Sequence, residues 1–246
     1  MRCVSHPDAR DERSLCKRYR TFAFSWFTAA TLPSGAAASR ALCHDKLSRG
    51  MVIVMRQARV SRKTRETEIE AILCLDGGEV SVDTGIGFFD HMLTAFAVHG
   101  GLGLTLRAKG DLQVDPHHTV EDVGIVMGDA IAQAVGDKAG IARYGSFAVP
   151  MDESLAFACL DISGRPYLVF RAEFPQDKMG DYDACLTEEF FRALAFHAGI
   201  TLHLNSPYGG NSHHKAEALY KAAGHALRLA AAQTGSNAVL STKGTL

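Results

Sequence analysis

Two short stretches of this sequence share a pattern that can do chemistry. "DPHHTVED" places His117 beside His118, with Glu121 four positions after the first; "NSHHKAEA" repeats it with His213, His214 and Glu217. At a helix start, residues four apart share a face, so His117 converges with Glu121 and His213 with Glu217. The neighbouring His118 and His214 point about 100° away around the helix. One motif can therefore serve two metal ions, or two walls of one site. Imidazole nitrogen with carboxylate oxygen, and no thiolate, suits a divalent first-row ion such as manganese, iron or zinc. Many nitrogen and oxygen ligands around more than one ion favour an octahedral dinuclear centre, which points toward manganese. A single histidine is commonly a helix cap or a polar loop residue; the whole motif occurring twice makes that explanation poor.

A second group of residues suits an anion. Arg143 in "GIARYGS", Arg165 in "SGRPY", Lys221 one turn beyond Glu217, and Ser241 and Lys243 in "LSTKGTL" sit beside turns or near the metal-type motif. Arginine offers a forked donor to phosphate and lysine a point charge. Each alone reads as a solvated surface charge; as a set they have the chemistry of a phosphate subsite. A metal-storage or structural-metal shell has no use for them. A dinuclear metal phosphoesterase would use the same ligand types, and it stays a rival at this level.

Regular elements must carry these residues. In "TEIEAILCLDG", Ile69, Ala71 and Leu73 recur with period two, and "DGG" supplies a turn before a second strand in "EVSVDTG". "GFFDHMLTAFAVHG" predicts a helix, with Phe89, Met92, Leu93, Phe96 and Ala97 at helical spacing and Gly100-Gly101 as its stop. "LGLTLRAKG" returns to strand. From His117 a long helix follows, with Val123, Val126, Met127 and Ile131 inward.

The order then repeats. "ESLAFACLDISG" and "RPYLVFRAEF" read as a hairpin across Ser163-Gly164, "CLTEEFFRALAFHAG" as a helix, "ITLHLNS" as a strand, and the stretch from His213 as a long helix. His91 and His99 in the first half match Glu189 and His197 in the second, as His117, His118 and Glu121 match His213, His214 and Glu217. The chain therefore reads as a duplicated strand–strand–helix–strand–helix unit, about 60–140 and 141–235. It makes an α+β fold with two sheets and helices packed on one face of each.

Composition limits the alternatives. With 246 residues, 47% hydrophobic and 22% charged, the chain can build a substantial core. Twenty-six basic against 27 acidic side chains leave a net charge of -1. No global basic field draws the protein to nucleic acid or anionic lipid. No segment approaches the length of a membrane-spanning helix. Cys3, Cys16, Cys43, Cys74, Cys159 and Cys185 form no CxxC pair and read as free thiols of a reducing cytosol. Residues 1–55 are of another kind: polar and basic, then briefly apolar, then small and turn-prone. The acidic Asp8, Asp11 and Glu12 argue against a secretory or transit signal. The segment is expected to lie outside the fold, either as an upstream extension before a start at Met51 or Met55 or as a disordered tail.

Together the motifs resemble those of the imidazoleglycerol-phosphate dehydratase family. The resemblance rests on "GIGFFDHML", "DPHHTVEDVGIVMGDA", "GIARYGSF", "DISGRPYL", "FFRALAFHAGITLHL", "GGNSHHKAEALYKA" and the terminal "STKG", and spans residues 56–246. It implies a duplicated fold of the ribosomal protein S5 domain 2-like type. It also implies two manganese ions per active site, and a hollow homo-oligomer of about 24 subunits with active sites at subunit interfaces. Nothing of phosphatase type precedes the matching stretch, so the single-function form is expected, in the cytoplasm.

Carried over by motif, the implied metal ligands are His91, His117, His118, Glu121, His213, His214 and Glu217. Glu189, in "TEEFF", stands where the family often has a further histidine ligand. The implied substrate shell is Glu66, His99, Arg143, Arg165, Lys221, Ser241 and Lys243. The implied reaction is loss of water from D-erythro-imidazoleglycerol phosphate, giving imidazoleacetol phosphate, in histidine biosynthesis. Its difficulty is that no carbonyl activates the carbon that loses its proton. A metal-activated imidazole ring answers this, with Glu217 or Glu66 moving protons.

Overall fold

The computed structural model describes residues 55–245. The expectations for residues 1–54, Cys3, Cys16 and Cys43 among them, fall outside the described residues.

Two four-stranded sheets frame the fold. The first contains β1 (Gln57–Lys63), β2 (Thr67–Cys74), β3 (Val80–Asp83) and β4 (Gly103–Gly110), in the order β1-β2-β4-β3. The second contains β5 (Tyr144–Met151), β6 (Ser154–Asp161), β7 (Tyr167–Ala172) and β10 (Thr201–Tyr208), in the order β5-β6-β10-β7. A short hairpin, β8 (Lys178–Met179) with β9 (Tyr182–Asp183), precedes the third helix. The helices are α1 (Gly87–Gly100), α2 (His117–Val135), α3 (Leu186–Ala198) and α4 (Ser212–Ala230). Both halves thus follow one order and one strand arrangement, and the architecture is α+β.

The helical periodicity reads correctly onto the core. Phe89, Met92, Leu93 and Phe96 of α1, and Val123, Val126, Met127 and Ile131 of α2, are all buried. Helices cover one face of each sheet: α2 lies on β1 and β2, and α4 on β5 and β6. The halves join through the helices, α1 against α4 and α2 against α3. Glycine makes the first crossing close. A Cβ on Gly224 would meet the Phe96 carbonyl oxygen at 2.3 Å, so nothing larger fits where α4 touches α1.

Each half carries one strand more than its hydrophobic pattern announces. β1, "QARVSRK", is an edge strand with Ala58 as its one buried residue. β5 is interrupted by Gly145 and Pro150, and proline is tolerated there because the strand is an edge. Neither alternates cleanly enough to read as a strand.

The hairpin expected across Ser163-Gly164 is not formed. β10 lies between β6 and β7, antiparallel to the first and parallel to the second. The five residues after Asp161 cross the end of an intervening strand. Two strand spacings, about 10 Å, are well within their reach. The first half repeats the device, with β4 inserted between β2 and β3. There Gly77 passes so close to β4 that a Cβ on Gly103 would lie 2.8 Å from its carbonyl oxygen. A short turn-rich stretch between two strands looks the same in sequence whether it closes a hairpin or steps over a strand that comes later.

Candidate active site

The long helices begin where the paired histidines lie. Asp115 accepts from the His117 N–H (2.8 Å) at the start of α2, and Asn211 accepts from the N–H groups of His213 and His214 at the start of α4. These side chains satisfy helix-end donors that would otherwise lack partners. They also fix the direction in which each pair leaves its helix.

The α1–α4 contact assembles the tightest cluster. His91 of α1 comes to 3.6 Å from a Glu217 carboxylate oxygen, and His213, one turn before Glu217 on α4, comes to 3.3 Å from the same oxygen. One donor atom from each of the three residues lies within 4.8 Å of the others. The second Glu217 oxygen accepts from Lys221 Nζ at 2.7 Å. Burial pushes the Glu217 carboxyl up. The hydrogen bond and charge of Lys221, with the nearby His91 and His213, outweigh that and hold it below the usual glutamate range. Two imidazoles and one ionised carboxylate at this spacing are a donor set that fits a divalent cation.

His99, two turns after His91, lies within the influence of Lys221 and Glu217. Burial lowers its pKa and Lys221 lowers it further, against an opposing pull from Glu217. Its ring stands 5.4 Å from that of His225, which stacks on Phe147.

The other members of the histidine pairs have different partners. His117 lies 3.8 Å from Glu121 on one face of α2. His118 turns away, with Nδ1 3.1 Å from Asp111 and 3.9 Å from Glu66. His214 turns away in the same sense, with Nδ1 2.8 Å from Glu153 and Nε2 3.8 Å from Asp152. The hydrogen bond to Asp111 raises the His118 pKa. That to Glu153 raises His214, and in return His214 draws the exposed Glu153 down to about 2. Glu189, in the first turn of α3, lies 3.5 Å from Arg192 and is not part of the cluster formed by His91, His213 and Glu217.

The anion-type residues gather elsewhere on the chain. Arg143, Tyr144, Arg165, Ser241 and Lys243 line a cavity of about 810 Å³. Arg143 is buried and held in a left-handed backbone conformation (φ 72°). Its guanidinium donates twice to Asp161 (2.7 and 3.0 Å) and to the Leu240 carbonyl oxygen (2.6 Å), tying the C-terminal segment to the second sheet. Arg165 is largely exposed, 3.4 Å from Asp161. Lys221 does not line this cavity; it belongs to the Glu217 cluster.

Three acids at the site went unrecognised in the sequence: Asp111, Asp152 and Glu153. The last two stand in "PMDES", at the turn between β5 and β6, with Asp152 at φ 47°. An acidic pair in a strand-to-strand turn is a legible signal only once β5 is recognised. Asp122, inside the first motif, has the opposite character. It is buried, accepting from Arg62 and Thr67, and it anchors α2 to the first sheet.

Comparison with known proteins places this arrangement. Residues 84–227 match the family model of imidazoleglycerol-phosphate dehydratase. The imidazoleglycerol-phosphate dehydratase of Streptococcus sanguinis is 58% identical over 194 residues, which are 78% of this chain and 100% of that protein. The same enzyme of Acetivibrio thermocellus is 56% identical over 193 residues, 78% of this chain and 99% of its own. Among solved structures, the Staphylococcus aureus enzyme superposes with a TM-score of 0.67 at 41% identity, covering 72% of this chain and 99% of that one. The Pyrococcus furiosus enzyme gives 0.68 at 36% identity, covering 76% and 100%. Matches of this identity over the whole length of the relatives settle the kinship: the chain belongs to the imidazoleglycerol-phosphate dehydratase family and is a hydro-lyase.

Proposed function

We propose that this protein removes water from D-erythro-imidazoleglycerol phosphate to give imidazoleacetol phosphate, in L-histidine biosynthesis, with two manganese ions per active site. The observation that carries the reading is the meeting of His91, His213 and Glu217 within 4.8 Å across the α1–α4 contact. His117, His118, Glu121, His214 and Glu189 are the remaining proposed ligands. A bound divalent cation would act as a Lewis acid on the imidazole ring of the substrate and make its nitrogens more acidic.

The residues of the chain supply the rest. Arg165, Ser241 and Lys243 hold the phosphate, and Arg143 shapes that cavity through Asp161 and Leu240. Lys221 keeps Glu217 ionised, ready to accept a proton. Glu66, half exposed beside His118, is the second carboxylate available for proton transfer. His99, which feels the charges of Lys221 and Glu217, is the further proposed substrate contact.

The anion cavity is lined by none of the clustered histidines. This supports a composite site in which neighbouring subunits each contribute one part, within a homo-oligomer of about 24 subunits. Among the described residues no helix is long and apolar enough to cross a membrane. The proposed setting is the cytoplasm, with no nucleic-acid partner.

The test is an assay with imidazoleglycerol phosphate on metal-stripped protein, with and without added manganese. Manganese-dependent appearance of the ketone is expected. Full turnover without metal overturns the metal reading, and release of free phosphate instead of the ketone indicates a phosphoesterase.

A further inference from the structure

The duplication places one glutamate at the same turn in both halves. Glu66 immediately precedes Thr67, the first residue of β2, and Glu153 immediately precedes Ser154, the first residue of β6. In both halves that glutamate approaches the second histidine of the pair, Glu66 near His118 and Glu153 near His214.

The two have diverged in what they hold. One Glu153 oxygen lies 2.8 Å from His214 Nδ1. The other accepts from the N–H groups of Gly210 (3.0 Å) and Asn211 (2.9 Å) and from the Ser154 hydroxyl (3.0 Å). Glu153 therefore pins the imidazole and the chain entering α4 at once. Among the described residues Glu66 pins nothing: its carboxylate is 3.9 Å from His118 Nδ1 and 55% exposed. In that half the ring nitrogen is held by Asp111, at 3.1 and 3.3 Å from its two oxygens, and the Asp111 side chain is only 16% exposed.

A carboxylate accepts but does not donate. An imidazole held by one through Nδ1 carries its proton there and leaves the Nε2 lone pair open. Outer-shell carboxylates of this kind orient histidine ligands and raise their basicity. We infer that Glu153 and Asp111 are the positioning carboxylates of the two His-His-x-x-Glu motifs, each fixing the Nε2-open form of His214 or His118. Because Asp111 holds His118, Glu66 is released from the holding task that Glu153 performs and is free to act on substrate. This inference rests on the reading that the paired histidines hold a divalent cation.

The experiment compares Glu153→Gln, Asp111→Asn and Glu66→Gln with the full-length wild type. In Glu153→Gln the amide oxygen can still accept from Gly210 and Asn211, while its NH₂ faces His214 Nδ1 and drives the ring proton to Nε2. The expected result for Glu153→Gln and Asp111→Asn is a fall of about 10–100-fold in manganese affinity, measured by chelator competition. It comes with a reversed tautomer in the ¹⁵N shifts of the labelled histidine in metal-free protein. Glu66→Gln should lose turnover while binding manganese as the wild type does.

Unchanged affinity and tautomer in both Glu153→Gln and Asp111→Asn would overturn the inference. So would loss of manganese in Glu66→Gln as severe as in Asp111→Asn. The two held histidines lie on different helices, His118 on α2 and His214 on α4, so failure of one variant to fold leaves the other as the test. A wild type that takes up no manganese would instead defeat the proposed function itself.

Discussion

Glu217 divides its carboxylate between two kinds of partner. One oxygen meets Lys221 at 2.7 Å, and the other faces His213 at 3.3 Å and His91 at 3.6 Å. Burial alone would favour the neutral acid, and Lys221 is the largest influence in the opposite direction. Replacing Lys221 with Met removes that influence and leaves burial in place, so the Glu217 pKa must rise. The carboxylate is then lost at a higher pH on the way down. The acid limb of the kcat/KM profile is expected to move to higher pH in Lys221→Met, with the basic limb little changed. An acid limb that stays in place would show that Lys221 does not control this carboxylate.

Glu217→Gln keeps the shape of the side chain and removes the charge. Its neighbours in α4 are helix-forming and the helix is packed along its length, so circular dichroism should match the wild type. Turnover should fall by about 10²–10⁴-fold, the usual contribution of a positioned proton-transfer group. Near-normal turnover with metal bound would remove Glu217 from the proton shuttle.

Much of this was legible because the duplication writes each signal twice. The helices holding His91 and His117 follow from apolar periodicity, and their buried faces are those the spacing selects; the helix from His213 follows from the repeat. What the sequence hid is what depends on long-range pairing. β1 and β5 are polar or interrupted edge strands, whose place is set by the partner strand and not by their own pattern. Missing them concealed the equivalence of the turns before Thr67 and Ser154, and with it Glu153. The insertion of β10 between β6 and β7 is likewise a tertiary fact, invisible in the turn residues Ser163 and Gly164. For Glu189, the repeat supplies a counterpart in His91, but the fold of a single chain leaves it beside Arg192.

The two arginines of the anion cavity should separate cleanly. Arg165 is 68% exposed and makes one long contact to Asp161. Arg165→Ala should raise KM for the phosphorylated substrate and leave the thermal midpoint within a few degrees. Arg143 is buried, and its loss strands Asp161 and the Leu240 carbonyl oxygen. Arg143→Ala should raise KM and also cost about 1–3 kcal/mol of stability, read from denaturant unfolding. Equal stability of the two variants would contradict the structural role assigned to Arg143.

The cluster of His91, His213 and Glu217 spans α1 and α4, which approach closely at Gly224. A methyl group there would sit 2.3 Å from the Phe96 carbonyl oxygen, a backbone atom that cannot step aside without moving its helix. Gly224→Ala should therefore push α1 away from α4, at a cost of about 1–3 kcal/mol. Since His91 rides on α1 and Glu217 on α4, the same displacement should weaken manganese binding, although residue 224 touches no proposed ligand. Gly87→Ala supplies the control. It lies at the start of α1 with open space around it, and alanine there should be neutral or stabilising by up to about 1 kcal/mol. If Gly224→Ala loses stability but binds manganese as tightly as the wild type, the helix crossing is not what sets the spacing of the cluster.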